Sequence, residues 1–128
     1  MNMFILAAGF ISLFAVLGHF AIGYKSFLKP VLQSSAANIP KKVMSALFHY
    51  MSVFMIFTTL VLINAGLGTC KLFKAVDEIV LFIGILYCGF GVAQFIIAAT
   101  SGIKMGLVKM FQWILWLTIA ILCFIGIN

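Results

Sequence analysis

Two histidines, His19 and His49, are the only side chains in this chain whose ordinary titration falls near neutral pH, and both lie within long apolar stretches. Imidazole nitrogens bind transition metals, ligate haem or carry protons, so this pair is where chemistry would gather. Around them the sequence offers neutral hydrogen-bonding groups, notably Gln94, Gln112, Tyr87 and Ser52. The acidic inventory is only Asp77 and Glu78. No nucleophile–base pattern, carboxylate pair or metalloprotease motif is present, which makes an enzyme the least expected class. Cys70, Cys88 and Cys123 show neither CxxC nor zinc-ligand spacing. Cys88 reads as a small apolar packing residue. Cys70 and Cys123 approach the same membrane face, which leaves a disulfide between them open. The run Tyr87-Cys88-Gly89-Phe90-Gly91 matches neither a potassium filter nor a phosphate loop. Its glycines read as packing positions, with Gly89 and Ala93 as a small-xxx-small pair.

The elements that must position these groups follow from composition. Of 128 residues, 66% are hydrophobic and 8% charged, whereas a water-soluble domain carries about 25% charged residues. Residues 1–24, 43–70, 79–103 and 110–128 contain no Lys, Arg, Asp or Glu. A spanning helix needs roughly 20 mainly apolar residues. The expected fold is therefore all-α: an integral membrane four-helix bundle with antiparallel up-down topology. A single transmembrane domain covers residues 1–128, with helices at about 3–24, 43–64, 76–99 and 103–127. The N-terminal apolar run lacks a positive leading segment and exceeds the ~7–15 residues of a signal-peptide core, so it reads as a retained first helix. Between helices one and two, Ser26–Ser34 carries Phe27, Leu28, Val31 and Leu32 beside Lys29, the pattern of a short interfacial helix. Pro30 starts or bends that piece, and Pro40 fits the first turn of helix two. Gly66 and Gly68 mark the second turn, and Thr100-Ser101-Gly102 a tight third one.

Eight lysines against two acids give a net charge of +6. Because the lysines are scattered between apolar spans, they read as membrane-flanking charge and not as a nucleic-acid surface. Lys25, Lys29, Lys41, Lys42, Lys104 and Lys109 fall in connections one and three; only Lys71 and Lys74 fall on the other side. The positive-inside rule then predicts connections one and three in the cytoplasm and both termini outside. Asp77 and Glu78 read as solvated interface charges.

Helical periodicity assembles the polar residues. Positions alternately three and four apart share one face. Helix one gives Ala8, Ser12, Ala15, His19 and Gly23; helix two gives Ser45, His49, Ser52, Ile56 and Thr59. Helix three gives Gly84, Tyr87, Gly91, Gln94 and Ala98; helix four gives Lys109, Gln112, Trp116, Ile119 and Cys123. Small and hydrogen-bonding residues favour helix–helix contact over lipid, so these faces are expected inward. His19, His49, Gln94 and Gln112 all fall roughly 9–14 Å along their helices from the cytoplasmic turns, at 1.5 Å per residue. This predicts a polar layer joining the four, with Tyr87 and Ser52 below it. Interhelical hydrogen bonds alone account for Gln94 and Gln112. The histidines are functional candidates by default, since an ionisable residue in a span is expensive unless paired, and a functional and a structural role weigh evenly for them.

The runs GHFAIGYKSFLKPVL (residues 18–32) and FHYMSVF (residues 48–54) resemble a pattern in uncharacterised small four-helix bacterial inner-membrane proteins. There a Gly-His pair ends helix one, a Gly and Leu-x-Pro follow, and an aromatic-His pair lies early in helix two. The matching positions are Gly18, His19, Gly23, Leu28, Pro30, Phe48 and His49. The family often has an acidic residue where this chain has Tyr24, and Trp where it has Phe48. The resemblance covers the first half and implies a bacterial inner-membrane location; it brings no established activity.

Three functions compete. The first is binding of a transition metal, haem or small ligand by His19 and His49, with Gln94 as a polar partner and Lys25, Lys41 or Lys42 meeting haem propionates. The second is a small oligomeric transporter or channel, although no broken helix or inverted repeat is visible. The third is a non-catalytic assembly or accessory subunit. Expected partners are membrane lipid and either a second copy or another membrane protein, with no nucleic acid.

Overall fold

A computed structural model describes residues 1–128. The chain is entirely helical, without strands. It contains α1 (Met3–Gly18), a π-helical segment (His19–Leu28), α2 (Lys29–Gln33), α3 (Asn38–Leu67), α4 (Val76–Thr100), α5 (Gly106–Lys109) and α6 (Gln112–Gly126). Three helical runs are long and apolar enough to cross a membrane: Met3–Gln33, Asn38–Leu67 and Val76–Thr100. The fourth apolar stretch differs from the expected 103–127 helix. Gly102 and Met105 both have positive φ (68° and 59°), and that reversal interrupts the helix. A non-glycine residue in the left-handed region is sterically disfavoured, which is why Met105 gave no warning. The regular helix α6 has 15 residues, or about 22 Å against a hydrocarbon core of about 30 Å.

The separate interfacial helix expected at Ser26–Ser34 is instead the end of one continuous run. Between His19 and Leu28 the backbone winds as a π-helix, with i→i+5 hydrogen bonds such as Lys29 N–H to Tyr24 C=O. Pro30 has no N–H and crowds the carbonyl four residues earlier. Wider winding just before it keeps the neighbouring backbone donors bonded, so the helix continues to Gln33 without a turn.

Helix ends are finished locally. The Asn2 side chain accepts from the N–H groups of Phe4 and Ile5 at 3.2 Å each, capping α1. Asn2 also reaches two other helix ends: its N–H donates to Gly66 O (2.7 Å) and its amide donates to Gly126 O. At the end of α3, Gly68 is left-handed (φ 74°), with Gly68 N–H bonded to Ala65 O and Thr69 N–H to Asn64 O, a Schellman closure. Asp77 and Glu78 lie in the first turn of α4, where the helix dipole favours negative charge.

Glycines set the approach of the helices. A Cβ at Gly66 would fall 2.6 Å from Leu6 Cα, and one at Gly9 would fall 2.9 Å from Ile63 N. On the other flank, Gly84 lies against Cys123 and Phe124, and Gly91 against Leu117. Close packing thus uses Gly84 and Gly91; Gly89 meets nothing within 4 Å, and Ala93 is also exposed. The two sit on the opposite face of α4 from its buried residues. Along the seams, α1 packs on α3 and α6, and α6 packs on α4. The core between them includes Ile5, Met55, Leu62, Val80, Tyr87 and Ile119. Only 27 of the 128 residues are buried, while Phe10, Phe14, Val53, Phe82 and Ile97 stand open. Water does not tolerate a continuous apolar exterior of that extent.

Candidate functional site

The residues of the polar stripes separate into two groups. The first is a hydroxyl cluster at the centre of the core. Ser12 Oγ lies 2.6 Å from Thr59 Oγ1 and 3.1 Å from the Tyr87 hydroxyl. Tyr87 Oη lies 2.8 Å from Thr58 Oγ1, and Thr58 donates to Phe54 O at 2.9 Å. One proton order lets every hydroxyl donate once: Thr59 to Ser12, Ser12 to Tyr87, Tyr87 to Thr58, and Thr58 to the helix carbonyl. All four side chains are buried and all are bonded. Thr58 was missed in the sequence because it shares neither the chosen stripe nor any distinguishing neighbour; its register next to Thr59 is the only signal.

The second group surrounds His19, at the junction of α1 and the π-helical segment. His19 Nε2 lies 2.9 Å from Ser52 Oγ and 3.3 Å from Phe48 O. Ser52 itself donates to Phe48 O at 2.9 Å. The imidazole stacks on Phe48 with centroids 3.9 Å apart and planes 15° from parallel. Beside this ring opens a cavity of about 270 Å³, walled by α1, the π-helical segment, Phe48 of α3 and the start of α6. Its lining includes Phe14, Gly18, His19, Gly23, Phe27, Phe48, Phe111, Gln112 and Trp116. Gln112 is the first residue of α6, and its Oε1 is buried without a hydrogen-bond partner. A buried, unpaired carbonyl is uncommon, because its desolvation is not repaid.

The structure brings His19, Ser52 and Gln112 to one region, and puts Tyr87 in the deeper hydroxyl cluster. It does not bring His49 or Gln94 to them. His49 is exposed and meets only the edge of Phe48, with ring centroids 5.7 Å apart. The inward face of α3 runs through Phe48, Ser52, Met55, Thr59, Leu62 and Gly66; it keeps Ser52 and Thr59 of the expected stripe and takes Phe48 and Met55 in place of His49 and Ile56. The close approach at Gly66 fixes that phase. Gln94 is half-buried and lies apart from the His19 hydrogen bonds. Lys25, Lys29, Lys42, Lys104 and Lys109 are exposed, and Lys41 is half-buried. Cys70, Cys88 and Cys123 are all free thiols.

As donors for a metal, His19 offers a nitrogen already committed to Ser52, and no three His, Cys, Asp or Glu side chains converge anywhere. Bis-imidazole haem ligation needs two histidines facing one another, and His49 is exposed and does not line the cavity. What the site can do chemically is hold an uncharged molecule against aromatic walls with directed hydrogen bonds. No family model, curated protein or solved structure matches this chain.

Proposed function

We propose that the chain is an antiparallel four-helix integral membrane protein that binds a small, mainly apolar molecule in the cavity beside His19. The observation carrying this reading is the aromatic cavity itself, with the His19 ring and the Gln112 side chain among its lining. Ligand pockets commonly combine apolar walls with a few convergent polar groups, at volumes of about 300–1,000 Å³; this one, at about 270 Å³, falls just below that range. The pairings Leu6–Gly66, Ser12–Thr59 and His19–Ser52, with Gly84–Phe124 and Gly91–Leu117, support antiparallel neighbours. Three runs of spanning length support insertion, with α5 and the bend before α6 completing the fourth crossing.

In this reading connections one and three face the cytoplasm of a bacterium and both termini lie outside, following the lysines. The cavity then opens near the cytoplasmic boundary, and the molecule enters laterally from lipid. The resemblance of residues 18–32 and 48–54 to small bacterial inner-membrane proteins draws on the same pair of helices.

Trp116 in the wall provides the test. In a Trp113→Phe background, a brominated aromatic titrated into the reconstituted protein is expected to quench Trp116 fluorescence saturably. Gly18→Leu should abolish the saturable part, because a Cβ at Gly18 meets nothing within 4 Å and the added side chain occupies the cavity. Quenching that only follows partitioning into lipid, the same in both proteins, overturns the proposal.

A further inference from the structure

We infer that the cavity selects molecules whose polar end donates hydrogen bonds, with phenols as the simplest aromatic example. This deepens the binding proposal above and rests on it. The argument begins with the tautomer of His19. Its Nε2 faces the Phe48 carbonyl, which can only accept, and the Ser52 oxygen, whose proton already goes to Phe48 O. Nε2 must therefore carry the hydrogen and donate. In the uncharged ring Nδ1 is then a bare acceptor.

Nδ1 lies beside Gly23, another residue of the cavity wall; a Cβ there would stand 3.6 Å from it. The absence of that Cβ leaves the nitrogen uncovered. The carbonyl oxygen of Gln112 is closed off from the cavity by burial, so Nδ1 is the acceptor a guest can reach. A ketone, ether or carboxylate brings only lone pairs and would set acceptor against acceptor, whereas a hydroxyl or N–H satisfies it. The rest of the wall, with Phe14, Phe27, Phe48 and Trp116, suits a flat ring in stacked or edge-on contact.

The experiment compares para-bromophenol with its methyl ether, para-bromoanisole, which keeps the ring and bromine and removes the donor. Affinities are read from saturable Trp116 quenching in the Trp113→Phe protein, expressed relative to probe concentration in the lipid phase. The phenol is expected to bind about tenfold more tightly, since pairing one buried acceptor is of that order. Two variants sharpen the result. Gly23→Ala fits at ordinary van der Waals distances from Phe48 and His19 and covers Nδ1, and it should shrink the preference severalfold while anisole binding persists. Gln112→Leu leaves Nδ1 open and should keep the preference. Equal affinities for the two probes, or tighter anisole binding, overturn the inference and leave the cavity reading intact. An undiminished phenol preference in Gly23→Ala overturns it as well. Saturation by neither probe defeats the cavity reading itself.

Discussion

The hydroxyl cluster around Tyr87 and the cavity beside His19 are neighbours, joined by Tyr87 and Trp116, whose ring centroids are 5.5 Å apart. Both are built from polar residues on the inward faces of apolar helices. They differ in satisfaction. Around Tyr87 every hydroxyl has a partner; beside His19 the Gln112 carbonyl is buried without one, and the imidazole lines an opening. A polar group in a low-dielectric interior stabilises when fully bonded and destabilises when it is not. The cluster has the signature of structure, and the cavity is where the binding proposal places recognition.

That contrast is testable on one scale, the free energy of unfolding in lipid–detergent mixtures. Tyr87→Ala should give the largest loss, about 3–5 kcal/mol as for buried aromatic truncations elsewhere, and should weaken probe binding because Trp116 loses its support. Ser12→Ala should lose about 1 kcal/mol, since it removes bonds to both Thr59 and Tyr87, each of order 0.6 kcal/mol in a membrane. His19→Leu should cost about 1 kcal/mol, because Ser52 keeps its bond to Phe48 O and no donor is orphaned. Gln112→Leu should be neutral or stabilising by up to about 1 kcal/mol, because it removes an unpaired buried carbonyl. His49→Leu should change stability by less than about 0.5 kcal/mol, as exposed substitutions do. If Gln112→Leu destabilised as much as Tyr87→Ala, the distinction between the two regions would collapse.

The sequence made part of this legible. The stripe Ala8, Ser12, Ala15, Gly23 is buried as expected, as are Gly84, Tyr87, Gly91 and Ala98, and Trp116, Ile119 and Cys123. Those faces are marked by small residues, which have no reason to face lipid. On α3 the marks were ambiguous. Ser45, His49, Ser52, Ile56 and Thr59 set a stripe of which only Ser52 and Thr59 are buried; the rest of the buried face turns toward Met55, Leu62 and Gly66. That turn puts Phe48 instead of His49 beside His19. Winding was also hidden: no side chain announces a π-helix, and Pro30 only hints that hydrogen bonding must change upstream. Met105 in a left-handed conformation is set by the tertiary reversal before α6, where Gly106 abuts Ala98 O. Gln112 was read as mid-helix; its place at the helix start depends on that reversal.

Asn2 gives this arrangement a mechanical character. One side chain and one amide draw together the beginning of α1, the end of α3 and the end of α6. The cavity lies at the far end of the same three helices. Such a molecule behaves like a clasped fan: the rivet is fixed, and thermal spreading grows with distance from it. Small angular play at Asn2 becomes the widest displacement where His19 faces α6, which is where a guest must pass. Loosening the rivet, as Asn2→Ala would, should speed entry and exit together while leaving the contacts of the seated guest unchanged. Amide exchange should rise first at the helix ends near Asn2 itself.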